Sequence, residues 1–188
     1  MANTASNVSA GKPKTTGAIW VAPKGTELPT DTATALNAAY KCLGYCSDDG
    51  LINGTNLESE TIKAWGGDTV LSIQTSKDDT YKFTLIEVLN EDVLKFVYGS
   101  GNVSGSLETG LTVTANNADV EEVSMVIDMI MRDSTSKRVV IPAGKISEMD
   151  DITYSDSAAV GYGTTLTCTP DGNGNTHYEY IRKAVISG

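Results

Sequence analysis

The 188-residue chain is long enough to bury one hydrophobic core without disulfide support, and its 24 acidic against 14 basic residues give a formal charge of -10. That balance excludes a sequence-reading nucleic-acid binder, because an acidic surface repels phosphate. An apolar fraction of 40% with only 6% aromatics and 18 glycines favours short strands and many turns, so a mainly β single domain is expected.

Residues 1–16 mix Asn, Ser, Thr, Lys and Pro with almost no apolar content and read as a flexible N-terminal arm, followed by one domain over 17–188. No cleaved leader and no membrane segment is expected, since no uncharged apolar run nears the roughly 20 residues a spanning helix needs. A short apolar strand at 18–22 gives way at Pro23, Gly25 and Pro29 to a connection reaching about 38, and a second strand is placed at 40–46.

The turn formers Asp48, Asp49, Gly50, Asn53, Gly54 and Asn56 deny regular structure to the next stretch, which reads as an extended loop. Residues 57–65 look strand-like, Gly66 and Gly67 reverse the chain, and 70–76 resumes with Leu71 and Ile73 on one face. The result is a long, loosely packed hairpin arm. A turn at 77–79 then leads into a half-buried strand through Tyr81, Phe83 and Leu85.

Asn90 is a natural helix N-cap, Glu91 and Asp92 suit the positive end of the dipole, and Gly99 suits a left-handed stop. One helix is therefore predicted over Glu91–Tyr98, lying on the sheet by Val93, Leu94, Val97 and Tyr98. Residues 99–110 read as a small, polar linker and 111–115 as a short strand. Val123, Met125, Ile127, Met129 and Met131 alternate with Ser124, Val126, Asp128, Ile130 and Arg132, giving the clearest strand, with its Met stripe in the core. Further strands are expected at 137–146, broken near Pro142, at 158–169, and, after a turn at 171–175, at 177–186.

Catalytic chemistry finds no footing. A triad would have to use the single histidine, His177, and no nucleophile-elbow spacing accompanies it. Three cysteines, 42, 46 and 168, neither pair fully nor form a zinc-ligand set, so reduced structural thiols are expected. Asp171, Asn173 and Asn175 imitate the start of a calcium loop, yet Thr176 stands at the sharp-turn glycine position and Arg182 at the closing glutamate position. No enzyme, cofactor or metal is expected.

The stretch 62–99, IKAWGGDTVLSIQTSKDDTYKFTLIEVLNEDVLKFVYG, resembles the central block of siphophage major tail proteins, where a Trp-Gly-Gly arm leads into a strand and a short helix. A second block, 138–170, is similar to the tail tube pattern of a strand, a Pro-containing break, an Ile-Thr-Tyr step and a final Gly-Tyr-Gly-Thr-Thr-Leu-Thr strand. The resemblance implies a β-sandwich or split barrel of two antiparallel sheets with one flanking helix. Six copies would form a ring whose inner strands join into one barrel, and rings would stack into the tail tube of a bacteriophage.

In such relatives the long hairpin reaches a neighbouring subunit, which makes 47–69 the expected inter-subunit loop. Asp48, Asp49, Asn53, Leu57, Glu58, Glu60 and Trp65 are its candidate contacts, with Trp65 either anchoring a neighbour or packing on its own sheet. Implied partners are further copies of the chain and the tape measure, tail terminator and distal tail proteins. DNA would pass through the lumen without specific binding. The expected location is the virion tail, after assembly in the host cytoplasm. The C-terminal immunoglobulin-like domain of some relatives is not expected. A contractile-tail or secretion-apparatus tube protein shares the layout, and an immunoglobulin-like adhesion or carbohydrate-binding module is the reading from a different class.

Overall fold

The structure, a computed structural model, describes residues 3–183. It is mainly β, with two antiparallel sheets and one α-helix, in keeping with the expected class. The sheets are unequal. Nine strands form one and a hairpin forms the other.

The strands are β1 (Lys12–Pro13), β2 (Ile19–Pro23), β3 (Lys41–Cys42), β4 (Cys46–Lys63) and β5 (Thr69–Leu85), followed by the helix α1 (Glu91–Tyr98). Then come β6 (Val103–Ser106), β7 (Gly110–Val113), β8 (Val123–Ile130), β9 (Ser136–Met149), β10 (Tyr162–Cys168) and β11 (Tyr178–Arg182). The large sheet runs β3-β2-β8-β9-β10-β5-β4, with β1 added to β8 and β11 to β9, while β6 and β7 pair alone. Of the expected last strand, residues 184–186 lie outside the described residues.

β9 organises the sheet because three strands pair with it, β8 along 136–144 on one edge and, on the other, β11 along 136–140 and then β10 along 144–149. Pro142 does not interrupt it, contrary to expectation. The proline sits where the β8 register slips between Val123 and Met125, so its missing N–H costs no ladder bond, and its carbonyl accepts from the buried Ser124 hydroxyl at 2.7 Å.

Both faces of the sheet are covered at its central strands. On one, Ile19, Val21, Met125, Ile127, Val139, Ile141, Leu166, Phe83 and Leu85 pack beneath Val93, Leu94, Phe96 and Val97 of α1, with the Phe83 and Phe96 rings stacked at 6.3 Å. The helix has the predicted bounds, and Asn90 Oδ1 accepts from the Asp92 N–H at 3.0 Å as an N-cap should. On the other face Leu28, Leu36 and Tyr40 of the 24–40 connection cover Ala22, Val126 and Val140. Burial pushes the Tyr40 hydroxyl up to about 12. Ser124, Val126 and Asp128 on the second side of the β8 alternation are therefore buried too.

What pins that connection is a buried ion pair. Arg138, 3% exposed, donates from Nε and Nη2 to the two oxygens of Asp128 at 2.7 and 2.9 Å. Its remaining nitrogen, Nη1, donates to the backbone carbonyls of Asp31 and Thr34 at 3.0 and 2.8 Å. The fork geometry of a guanidinium allows all four bonds at once, and lysine could not reproduce them.

Several expectations about local structure give way to tertiary pairing. The segment 48–56 is not a loop, and the turn at 77–79 does not exist. Both lie in the β4–β5 hairpin, where 47–50 fall at a register slip and 51–56 are paired, Asn56 facing Asp78 and Leu57 facing Lys77. The expected strand at 40–46 shrinks to β3 because the chain turns at Gly44, whose φ is 70°. Residues 103–106, read as linker, form β6. The N-terminal segment is largely exposed but lies along β8, with Lys12 opposite Ile130 and the Arg132 N–H donating to the Ser9 hydroxyl at 2.6 Å. An unpaired stretch of β8 edge offers the backbone groups that hold it.

Asp128→Ala, which strands a buried guanidinium, is expected to cost about 3–5 kcal/mol, read as a fall in the urea midpoint. The double variant Asp128→Leu with Arg138→Met should lose less than the single one, since no charge is left buried alone.

Candidate self-assembly surface

β4 and β5 are far longer than the body of the domain requires. β5 pairs with β10 only from Thr80 to Leu85, and from Asp79 outward β4 is its only strand partner among the described residues. On its far side β4 is the terminal strand of the sheet. Gly54 to Lys63, ten residues at about 3.3 Å each, extend the ladder some 33 Å past the body. A two-stranded ribbon of this kind is marginal in water by itself.

The tip is built by Gly66 and Gly67, at φ 123° and 100°, with the Ala64 N–H donating to the Asp68 carbonyl at 2.7 Å. Such dihedrals admit glycine and few other residues. They leave Trp65 fully exposed, so it does not pack on its own sheet. Below the tip Ile62 pairs with Leu71 and Glu60 with Ile73, which puts Ile62, Leu71 and Ile73 on one face of the ribbon. All three are exposed, as are Val70, Leu57 and Ile52. The arm thus carries an apolar patch with no cover from the described residues of its own chain.

The predicted contact residues separate by position. Asp48 and Asp49 are exposed in the short stretch between Cys46 and Leu51 that the β5 register skips. Leu57, Glu58 and Glu60 lie on the exposed ribbon, Glu58 accepting from the Ser76 hydroxyl at 3.2 Å. Asn53 is different, because its amide is committed inside the chain to Asp79 Oδ1 at 2.8 Å and to the Thr80 carbonyl at 3.1 Å. Ile62, Val70, Leu71 and Ile73 were missed as surface residues. Their signal was the Leu71/Ile73 alternation itself, with no helix or second strand set left over to cover it.

At the root of the arm stands a buried carboxylate, Asp79, 2% exposed. It accepts from Asn53 of β4, from the Thr176 hydroxyl at 2.8 Å and from His177 Nδ1, whose ring meets the Tyr81 ring edge-on at 5.7 Å. Burial alone would raise its pKa. The bonds from Asn53, Thr176 and His177 and the nearby imidazole outweigh that and hold it below the ordinary carboxylate value. Burial also pushes the Cys46 thiol up to about 11 and Cys168 up to about 12, so neither is an activated nucleophile.

Asp171, the first residue of the calcium-like stretch, is taken up by its own turn, accepting from the N–H groups of Asn173 and Asn175 at 2.8 and 3.0 Å and from the Tyr178 hydroxyl at 2.5 Å. Among the described residues no three metal-ligating acidic, histidine or cysteine side chains converge, and no helix is long and apolar enough to cross a membrane.

The chain is thus an open-edged β domain with a protruding, partly apolar ribbon. The chain matches the model of the phage tail tube protein family over residues 1–187, and it belongs to that family. It is accordingly a structural protein of the phage tail, one that family membership associates with self-assembly and with other tail components. Among solved structures, the cryo-EM structure of the anti-feeding prophage cap, a tube-terminating cap, aligns at 10% identity and a TM-score of 0.41, covering 98% of this chain and 100% of that one. Comparison with curated proteins gave no match.

Because its pKa is lowered in the folded state, Asp79 contributes stability that is present above the unfolded carboxylate range, near pH 4, and lost as pH falls through its folded value. Asp79→Asn is expected to flatten the acid limb of a plot of thermal midpoint against pH while lowering the midpoint at pH 7. An unchanged acid limb would show that the carboxylate contributes nothing there.

Proposed function

We propose that this chain forms rings, six subunits to the ring, that stack into the tail tube through which the phage genome passes. The observation that carries the reading is the arm, a ribbon some 33 Å long at strand rise whose tip exposes Trp65, Ile62, Val70, Leu71 and Ile73. In water that patch is a cost. Against a neighbouring subunit it is contact area, and the outer edge of β4 gains a partner for its free N–H and C=O groups.

In this reading Leu57 and Trp65 supply the apolar anchors, and Asp48, Asp49, Glu58 and Glu60 set register at the rim, where charges govern orientation more than affinity. Asn53 acts indirectly, through the root of the arm. The formal charge of -10 suits a lumen along which DNA slides, since an acidic wall releases no counterions on contact with phosphate. The tape measure, tail terminator and distal tail proteins are the partners at the tube ends, and assembly takes place in the host cytoplasm.

Trp65→Ala is expected to leave the thermal midpoint of the dilute chain within about 1 °C, since an exposed side chain contributes little to the fold. It should raise the concentration needed for tubes by roughly tenfold or more, the effect of losing an interface hot spot. Sedimentation and negative-stain microscopy read both. Tubes forming at the wild-type concentration would remove Trp65 from the contact.

A further inference from the structure

The network at the base of the arm is more than local satisfaction of a buried charge. β5 leaves the body where its pairing with β10 ends, at Thr80 opposite Thr167, and the next residue outward is Asp79. On the β4 side the ladder is interrupted inside the body, between Cys46 and Leu51, and from Leu51 outward β4 is paired with β5 alone, so the arm joins the sheet through β5. The pivot of the cantilever therefore falls at the Asp79 level of the ladder.

Three donors meet the carboxylate there from two directions. Asn53 comes from the arm's own β4, whereas Thr176 and His177 come from the segment that enters β11. β11 is itself an edge strand, held by β9 from Val140 to Ser136. The Thr80 hydroxyl, donating to the Gly54 carbonyl at 3.3 Å, closes the ladder beside this point, and a Cβ on Gly54 would sit only 2.9 Å from that hydroxyl. A side chain at residue 54 would have to displace that hydroxyl from its bond.

We propose that Asp79 is a joint that couples the two elements: the carboxylate locks the arm's angle to the seating of β11, so that loosening either one loosens the other. The inference rests on the arm being the assembly contact. Leverage makes the joint matter, because play of about 10° at the root of a 33 Å ribbon moves the tip by about 6 Å. That distance is enough to take Trp65 out of a van der Waals contact. Asp79, Asn53, Thr176 and His177 are thus positioning residues that act through the arm.

Hydrogen–deuterium exchange of the full chain, kept below the concentration at which tubes form, tests the coupling without depending on assembly. Asn53→Ala cuts the joint from the arm side and His177→Phe from the β11 side. Each variant is expected to speed exchange about tenfold both at the arm root, 53–57 and 77–80, and in 178–182, while β8 stays at the wild-type rate. His177→Gln, which keeps a donor, should restore wild-type exchange. If Asn53→Ala loosens only the arm and His177→Phe only β11, the two elements are independent and the joint is refuted. It is equally refuted if the wild-type arm root already exchanges freely.

Should His177→Phe fail to fold, Thr176→Val removes the other donor on that side and must give the same paired response, and independent responses there overturn the joint too. Tube formation by the same variants separates the two readings. Coupled exchange with delayed tubes supports both, and coupled exchange with unimpaired tubes upholds the joint while overturning the arm's role in assembly. Uncoupled exchange, with tubes still lost on Trp65→Ala, overturns the joint alone.

Discussion

The structure depends on β5 being one strand in two environments. Its inner part, through Tyr81, Phe83 and Leu85, is buried in the core between β4 and β10, and its outer part runs into solvent as half of the arm. From Phe83 to Ser76 the pairing with β4 proceeds without a register shift, across the boundary of the body. An unbroken ladder transmits direction, whereas bulges bend and twist a strand. The arm's bulges fall farther out, after Glu58 and after Ile62. The aim of the tip consequently starts from the packing of three core side chains, and the hydrogen bonds to Asp79 act on it at the boundary.

Buried charge has the same organising part at two places. Arg138 and Asp128 bring the irregular 24–40 connection down on the sheet, and Asp79 brings the 176–177 segment against the arm root. In each case a strand-borne charge collects donors or acceptors from a segment that has few ladder bonds of its own. Burying such groups gains little net stability over an apolar core of equal volume. Their effect is to leave one arrangement satisfied and the alternatives with stranded charge, which suits segments whose backbone would otherwise settle in several ways.

How far this could be read in the sequence follows from which forces were local. Helix α1 was legible to the residue because the Asn90 cap, the acidic first turn and the Gly99 stop act within their own turn of chain. β8 was legible because ten residues of alternation outweigh any single propensity. The root of the arm was not, since Asp48, Gly50, Asn53, Gly54, Asn56 and Asp78 are turn formers by intrinsic preference and only the cross-strand partner makes them a ladder. Pro142 misled for a related reason, as the register slip that accommodates it belongs to β8. Nothing in the spacing of residues 79 and 177 announces that Asp79 and His177 meet. The alternation of Leu71 and Ile73 shows that they share a face of the arm, but whether that face is covered depends on segments distant in sequence, which no local pattern reveals.

An edge strand as long as β4 is a hazard in a free subunit, and the chain carries its own restraint. Glu58, Glu60 and Lys63 on the ribbon, with Asp48 and Asp49 below it, discourage unregistered pairing with other strands, and subunits of charge -10 repel one another at a distance. That repulsion decays within about 8 Å at physiological ionic strength, whereas the apolar contact of Trp65 and its neighbours acts only on touching and is indifferent to salt. In the proposed tube, assembly would require the arm to find its seat, and other pairings would be resisted. Selectivity then lies in geometry, and geometry returns to the root of the arm, where a few hydrogen bonds to one carboxylate decide where a tryptophan some 33 Å away is presented.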